Sequence, residues 1–227
     1  MLPLDAKLLL RAYMVGLFPM AEDRDSAVVH WLEPAVRAVL PLDAFHVPRR
    51  LRRTFRQRPF ALAVDRDFAA VIHACAAPVP GRERSWLNDQ LIALYIELHE
   101  AGFAHSVECR LEGRLVGGLY GVALGRAFFG ESMFARVRDA SKVALVELVG
   151  RLRAAGYQLL DAQFLTAHLT RFGAIEIPRA AYRRRLAAAL AAGAADFPRD
   201  ARLYGLDVVG GGADGCNGCA QSRTQTS

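Results

Sequence analysis

Two short stretches hold the side chains best suited to chemistry. The first runs from Gly117 to Phe134, GGLYGVALGRAFFGESMF, and contains Gly117, Gly118, Gly121, Gly125 and Gly130. Only Gly125 has an obvious turn role. Elsewhere in a strand, glycine marks a bulge or the close approach of a backbone or ligand. Gly130-Glu131-Ser132 sets a carboxylate and a hydroxyl beside Phe128, Phe129, Met133 and Phe134. The second stretch is Leu159 to Phe164, LLDAQF. Residues i and i+2 of a strand share a face, so Asp161 and Gln163 should project together, with Leu160 and Ala162 on the other side. Such a pair suits orienting and polarising a reacting group. The plain alternative is an aromatic core strand with a solvated Glu131 and a polar strand face.

Other chemistries have less behind them. Gly-x-Ser-x-Gly is absent, since Gly130-Glu131-Ser132-Met133-Phe134 lacks the final glycine. His30, His46, His73, His99, His105 and His168 are scattered, with no H-x-x-x-H or H-E-x-x-H, so no metal site is expected. Cys216 and Cys219 form C-N-G-C in a glycine-rich tail, one pair without a second ligand pair, and read as incidental. Cys75 and Cys109 lie in apolar stretches and read as buried thiols, which suits a reducing compartment.

Charge offers a different kind of contact. The 227-residue chain carries a formal +6, and 27 of its 29 basic residues are Arg. Six of these lie between Arg49 and Arg58. Arg49, Arg52, Arg53 and Arg56 fall on one helical face, and Val47, Leu51 and Phe55 on the other. Arg179, Arg183, Arg184 and Arg185 form a second cluster. Such faces either stay solvated or hold RNA phosphates with little sequence readout. Trp86 is an aromatic that could stack on an unpaired terminal base. A non-enzymatic RNA-binding protein is therefore one alternative.

The elements that must position these groups can be traced along the chain. Hydrophobic residues are 53% and charged residues 23%, a globular balance. The longest apolar run, Leu186 to Ala195, falls well short of the ~20 residues of a spanning helix. Lys7 and Arg11 interrupt the N-terminal apolar stretch, and Asp5 stands where a signal peptide needs basic residues, so a cytoplasmic protein without a membrane partner is expected. A helix around Leu8–Arg11 ends at Gly16 and Pro19. A strand, RAVLPL, lies between Pro34 and Pro41, and the basic helix follows. From Phe60 the patterns give a strand (FALAVD), two helices (FAAVIHACA and WLNDQLIALYIELHEAG) and three meandering strands. Turns at Glu112-Gly113 and Leu124-Gly125 join the three strands. A long helix follows, which Asp139 could cap, then a strand (YQLLDAQF), a short helix (TAHLTRFGA) and a last helix (AAYRRRLAAALAAG). The order resembles the core of the GNAT acyltransferase fold. The expected class is α+β. A small N-terminal domain, 1–58, carries the basic helix. A GNAT-like domain, 59–205, has a mostly antiparallel sheet flanked by helices, and 206–227 is an expected disordered tail. A coenzyme A-dependent N-acetyltransferase is the second alternative. Against it, Ala135 to Ser141 (ARVRDAS) has no glycine where that fold cradles pyrophosphate.

At these segments the sequence closely resembles the bacterial leucyl/phenylalanyl-tRNA–protein transferases. The matching stretches include YMVGLFPM (13–20), WLEPAVRAVLPL (31–42), FHVPRRLRR (45–53), LHEAGFAHSVE (98–108), LVGGLYGVALGRAFFGESMF (115–134), DASKVAL (139–145), LDAQF (160–164) and FGAIEIPR (172–179). The resemblance implies transfer of Leu or Phe, and less readily Met, from aminoacyl-tRNA to proteins beginning with Arg or Lys, which marks them for degradation. It implies no cofactor; a monomer is expected. It places Asp161 and Gln163 as the proposed catalytic pair and Glu131 near the acceptor amine. Trp86 and Met20 handle the tRNA 3′ end, and the basic helical face of Arg49, Arg52, Arg53 and Arg56 is expected on its backbone. Leu119, Phe128, Gly130, Met133, Leu145 and Leu160 surround the donor side chain. Arg110 stands where many relatives have Trp, Ala135 where many have Ser, and Met20 where some have Trp. An amide is a very weak base, so Gln163 is read as orienting the amine by accepting its hydrogen bond. Asp161 is then expected to fix that amide. Leu160 lies on the face opposite the pair in a regular strand, so a twist or bulge must bring pocket and pair together.

Overall fold

The computed structural model describes residues 4–79 and 83–210. In chain order its elements are α1 (Ala6–Met14), β1 (Phe18–Ala21), β2 (Val29–Leu32), β3 (Val36–Val39), α2 (Arg49–Gln57), β4 (Ala61–Val64), α3 (Phe68–Ala76), α4 (Asp89–Glu100) and β5 (Ala104–Leu111). They continue with β6 (Arg114–Leu124), β7 (Ala127–Ala135), α5 (Ala140–Ala154), β8 (Leu159–Gln163), α6 (Ala167–Thr170), β9 (Ile175–Pro178), α7 (Arg179–Ala191) and α8 (Gly205–Gly210).

Local chemistry sets several boundaries. Asn88 accepts a hydrogen bond from the Leu91 N–H at 2.8 Å, so α4 starts at Asp89 and leaves Trp86 outside the helix. Asp139 does not cap α5 as expected. It sits at φ 66, and its side chain accepts from none of the first helical N–H groups but takes the ammonium of Lys142, in the first turn of α5, at 2.6 Å. Glu112 and Gly113 both have positive φ, as a two-residue hairpin turn needs.

Seven strands form one sheet in the order β4-β5-β6-β7-β8-β3-β9. Every pairing is antiparallel except β7 with β8. Parallel neighbours need a crossover, and α5 supplies it. One core layer gathers Leu119, Phe128, Leu145 and Leu160 with Leu51 and Phe55 of α2. The other gathers Tyr13, Tyr95, Tyr120 and Tyr182. The α+β class with a mostly antiparallel sheet is thus as expected. The small sheet β1-β2 and the edge strand β9 were not anticipated.

The expected division at residue 58 is crossed by the chain. β3 pairs with both β8 and β9, and α2 packs on α5 and α8. Residues from Val36 onward therefore belong to the large sheet layer, because Ala38, Val39 and Leu40 are buried within it. Residues 206–210, expected as the start of the tail, complete α8, with Val208 and Val209 buried. Glu147 fixes the start of that helix by accepting from the Tyr204 and Gly205 N–H groups at 3.2 and 2.8 Å. Cys216 and Cys219 lie outside the described residues. No described helix is long and apolar enough to cross a membrane.

Candidate active site

Strands β7 and β8 keep register only over residues 127–129 and 159–161. Beyond that they part, and a cavity of about 280 Å³ opens between Gly130–Met133 and Asp161–Gln163. Leu119, Met133, Leu145, Leu148 and Leu160 give it an apolar lining, and Phe18, Met20 and Trp86 border it from the N-terminal side. Gly130 keeps the lining open, since a Cβ there would meet only the Asp161 carbonyl oxygen at 3.4 Å and Leu160 Cδ1 at 3.9 Å.

Two register shifts shape the polar edge. Against β6, Tyr120 faces Ser132 and Gly121 faces Gly130, so Glu131 is the extra residue of a bulge in β7. Against β3, Val39 faces Asp161 and Ala38 faces Gln163, so Ala162 is the extra residue in β8. Gln163 then takes φ 54, and the Phe164 N–H bonds back to the Ala162 carbonyl at 2.6 Å, closing a tight turn. Bulges re-aim side chains in this way. Here they let Leu160, Asp161 and Gln163 border one cavity, which a regular strand would forbid.

Asp161 is wholly enclosed and does not share an open face with Gln163. Arg37 donates to it from Nε at 2.9 and 3.1 Å and from Nη2 at 2.7 Å. Tyr182 donates its hydroxyl at 2.8 Å, and the Gln163 backbone N–H donates at 2.9 Å. Arg37, 1% exposed, is flanked by the Phe18 and Tyr182 rings at 4.4 and 4.6 Å and donates to the Gly16 carbonyl. Burial works against its charge, and the Asp161 hydrogen bonds and charge more than offset that, holding its pKa above the ordinary value. The carboxylate's lone pairs are therefore committed to protein donors.

Glu131, not Asp161, fixes the Gln163 side chain. The Gln163 amide nitrogen donates to Glu131 Oε1 at 3.2 Å, which leaves its carbonyl oxygen as a free acceptor. Tyr95 donates to Glu131 Oε2 at 3.0 Å, and the Tyr13 and Tyr95 hydroxyls meet at 2.6 Å. Desolvation by burial pushes the Glu131 carboxyl up to about 7, the Tyr13 and Tyr95 hydroxyls oppose that, and the nearby Asp161 charge adds to it. A carboxyl that titrates near neutrality beside an oriented amide can receive, hold or release a proton in the cavity. Among the described residues no group of three or more His, Cys, Asp or Glu side chains is arranged to hold a metal ion.

Comparisons with known proteins identify the family. The family described as "Leucyl/phenylalanyl-tRNA protein transferase" matches residues 39–187, and its N-terminal domain matches residues 3–35. The chain belongs to the leucyl/phenylalanyl-tRNA protein transferase family. Similar members include that of Phenylobacterium zucineum, 58% identical over 98% of both chains. Others are those of Nitrobacter winogradskyi, 56% identical over 92% of this chain and 93% of that one, and Maricaulis maris, 52% identical over 98% of both.

Of the residues expected around the donor pocket of this transferase, Leu119, Gly130, Met133, Leu145 and Leu160 line the cavity, as do Trp86 and Met20. Phe128 does not. It is fully buried deeper in the sheet, facing Tyr157 and Phe197 at 6.4 and 5.6 Å, and its ring fills the space that a Cβ on Gly121 would need. Trp86 is half-buried, edge-on to Tyr95 at 6.5 Å. On the basic helix, Arg52 donates to the Val47 carbonyl and Arg56 to the Val209 carbonyl, whereas Arg49 and Arg53 are exposed. Arg179 and Arg183 pair with Glu33 at 3.3 and 2.5 Å. Sequence reasoning missed Arg37 and the Tyr13, Tyr95 and Tyr182 hydroxyls. A lone charge inside the apolar run around Val36–Leu40 was the available signal for Arg37. The tyrosines sit among apolar helix positions and gave none.

Proposed function

We propose that the chain transfers Leu or Phe, and less readily Met, from aminoacyl-tRNA to the N-terminal Arg or Lys of acceptor proteins in the cytoplasm, marking them for degradation. Membership of the family supports the reaction class. The observation that carries the assignment to this cavity is its apolar lining, bordered by the Glu131–Gln163 hydrogen bond.

The reaction is aminolysis of an ester. The acceptor α-amine attacks the ester carbonyl, a C–N bond forms, the C–O bond to ribose breaks, and the ribose oxygen leaves with a proton. No covalent enzyme intermediate is needed. Holding the reactants together can supply about 7–11 kcal/mol of the barrier. The free Gln163 carbonyl oxygen orients the amine, Glu131 fixes Gln163 and offsets the developing ammonium, and Asp161 acts as a positioning residue through the Gln163 backbone. The test is incubation with labelled Leu-tRNA and proteins beginning with Arg or with Ala. Label on the Arg protein alone supports the reading, and label on neither overturns it.

A further inference from the structure

A second, basic cleft adjoins the donor cavity and shares His168 with it. It encloses about 260 Å³ where three segments converge. The start of α2 supplies Arg50, the turn into α5 supplies Arg138 and Asp139, the first turn of α5 supplies Lys142, and α6 with its following turn supplies His168 and Arg171. Four cations therefore face one carboxylate. That carboxylate is engaged by Lys142 at 2.6 Å and lies 3.9 Å from Arg138. Arg50 and Arg171 are exposed, and neither makes an ion pair among the described residues.

Two further observations point to an anion. Helices α2 and α5 both begin at this cleft, at Pro48 and Asp139, and neither has a side-chain cap. Their first N–H groups and dipoles add positive potential to the cations. His168 Nε2 is buried without a hydrogen-bond partner among the described residues, which is costly for a polar atom unless a ligand supplies one. Desolvation and the charges of Lys142 and Arg171 hold the His168 pKa below its usual value. The α2 face, by contrast, has Arg52 and Arg56 committed to backbone carbonyls.

We propose that this cleft seats a backbone phosphodiester of the donor RNA beside the cavity that takes the aminoacyl end. The inference rests on the transfer reading above. Guanidinium forks match phosphate oxygens, and a phosphodiester keeps its charge across the working pH range.

The test compares the parent, the double variant Arg138→Ala/Arg171→Ala and the surface control Arg114→Ala on two donors. One is aminoacyl-tRNA. The other is the aminoacyl ester of adenosine, which has the same reacting bond and no phosphodiester. The double variant should raise KM for aminoacyl-tRNA roughly tenfold with kcat kept, while transfer from the adenosine ester stays at the parent rate. The slope of log affinity against log salt for uncharged tRNA should fall by about 0.7–0.9, one phosphate's worth, and stay put in the control. The His168 imidazole, followed by NMR, should gain basicity when a trinucleotide ending in CCA is added, because a phosphate offsets the surrounding cations. An unchanged KM and slope in the double variant overturns the proposal. Equal loss on both donors overturns it too, since that reports damage to the cavity. If the parent transfers from neither donor, the transfer reading fails, and the tRNA salt slope and the His168 titration still decide the cleft.

Discussion

Replacing Asp161 by Asn separates a positioning carboxylate from a chemical one. The parent carboxylate accepts from Arg37, Tyr182 and the Gln163 N–H with both oxygens. An amide has one oxygen. Placed at Oδ1, it keeps the Gln163 N–H but sets an NH₂ against Arg37 Nη2. Placed at Oδ2, it keeps Arg37 but sets the NH₂ against the Gln163 N–H. Either way a donor opposes a donor, and the Arg37 guanidinium, 1% exposed, loses its counter-charge. Breaking a buried pair from one side costs about 3–5 kcal/mol. For a chain of this length that lowers Tm by about 6–20 °C. Transfer should fall ~10- to 1000-fold as Gln163 loses its anchor. The decisive variant is Arg37→Met combined with Asp161→Asn. With the guanidinium gone, the Asn oxygen can hold the Gln163 N–H and its NH₂ can face the Tyr182 oxygen. Thermal melts and single-turnover transfer should both recover relative to Asp161→Asn alone. Additive loss of stability in the double variant would refute the pairing argument. Recovered stability with transfer still abolished would show that the Asp161 charge takes part in the chemistry.

Glu131 sets a pH dependence of definite sign. Its folded pKa of about 7 lies above the ordinary 4.5, so between these values the folded state keeps a proton that the unfolded chain loses. The Glu131 contribution to stability therefore falls as pH rises through that window, and Glu131→Gln should flatten urea midpoints there. In transfer, a limb near pH 7 should vanish in Glu131→Gln and leave only that of the acceptor amine, at about 7.7–8.0; an unchanged profile would exclude Glu131 from titration. Gly130→Val should enter the cavity without a backbone clash, given the 3.4 Å clearance from the Asp161 carbonyl oxygen, and lower Phe and Leu transfer at least ~10-fold with the circular dichroism spectrum kept; a fully active variant would remove the pocket assignment. If the exposed Arg53 meets a phosphate, Arg53→Ala lowers the salt slope for tRNA by about 0.7–0.9, whereas Arg52→Ala, which loses the Val47 carbonyl bond, should act mainly on Tm. An Arg53→Ala slope equal to the parent's would mean that this face is only solvated.

The elements were legible because their signals are local. Apolar spacing marked α2 and α4, alternation marked β5, and the Glu112-Gly113 turn followed from two residues. The glycine-rich strand and the LLDAQF segment pointed to the cavity because a glycine beside an apolar run and a carboxylate within one are conspicuous in any context. What the two polar residues do was not legible. Strand alternation put Asp161 and Gln163 on one face, but a bulge is a count of residues against a partner strand, and β3 lies far away in sequence. The same holds for Arg37, which reads as an odd charge until β3 is placed beside β8 and its guanidinium meets Asp161. Phe128 was counted into the pocket by the family resemblance, and only the parting of β7 from β8 decided that the cavity begins above it. Local pattern thus determined which residues could do chemistry. Register between distant strands decided which of them face the substrate and which hold the others in place, because that depends on pairings no single segment contains.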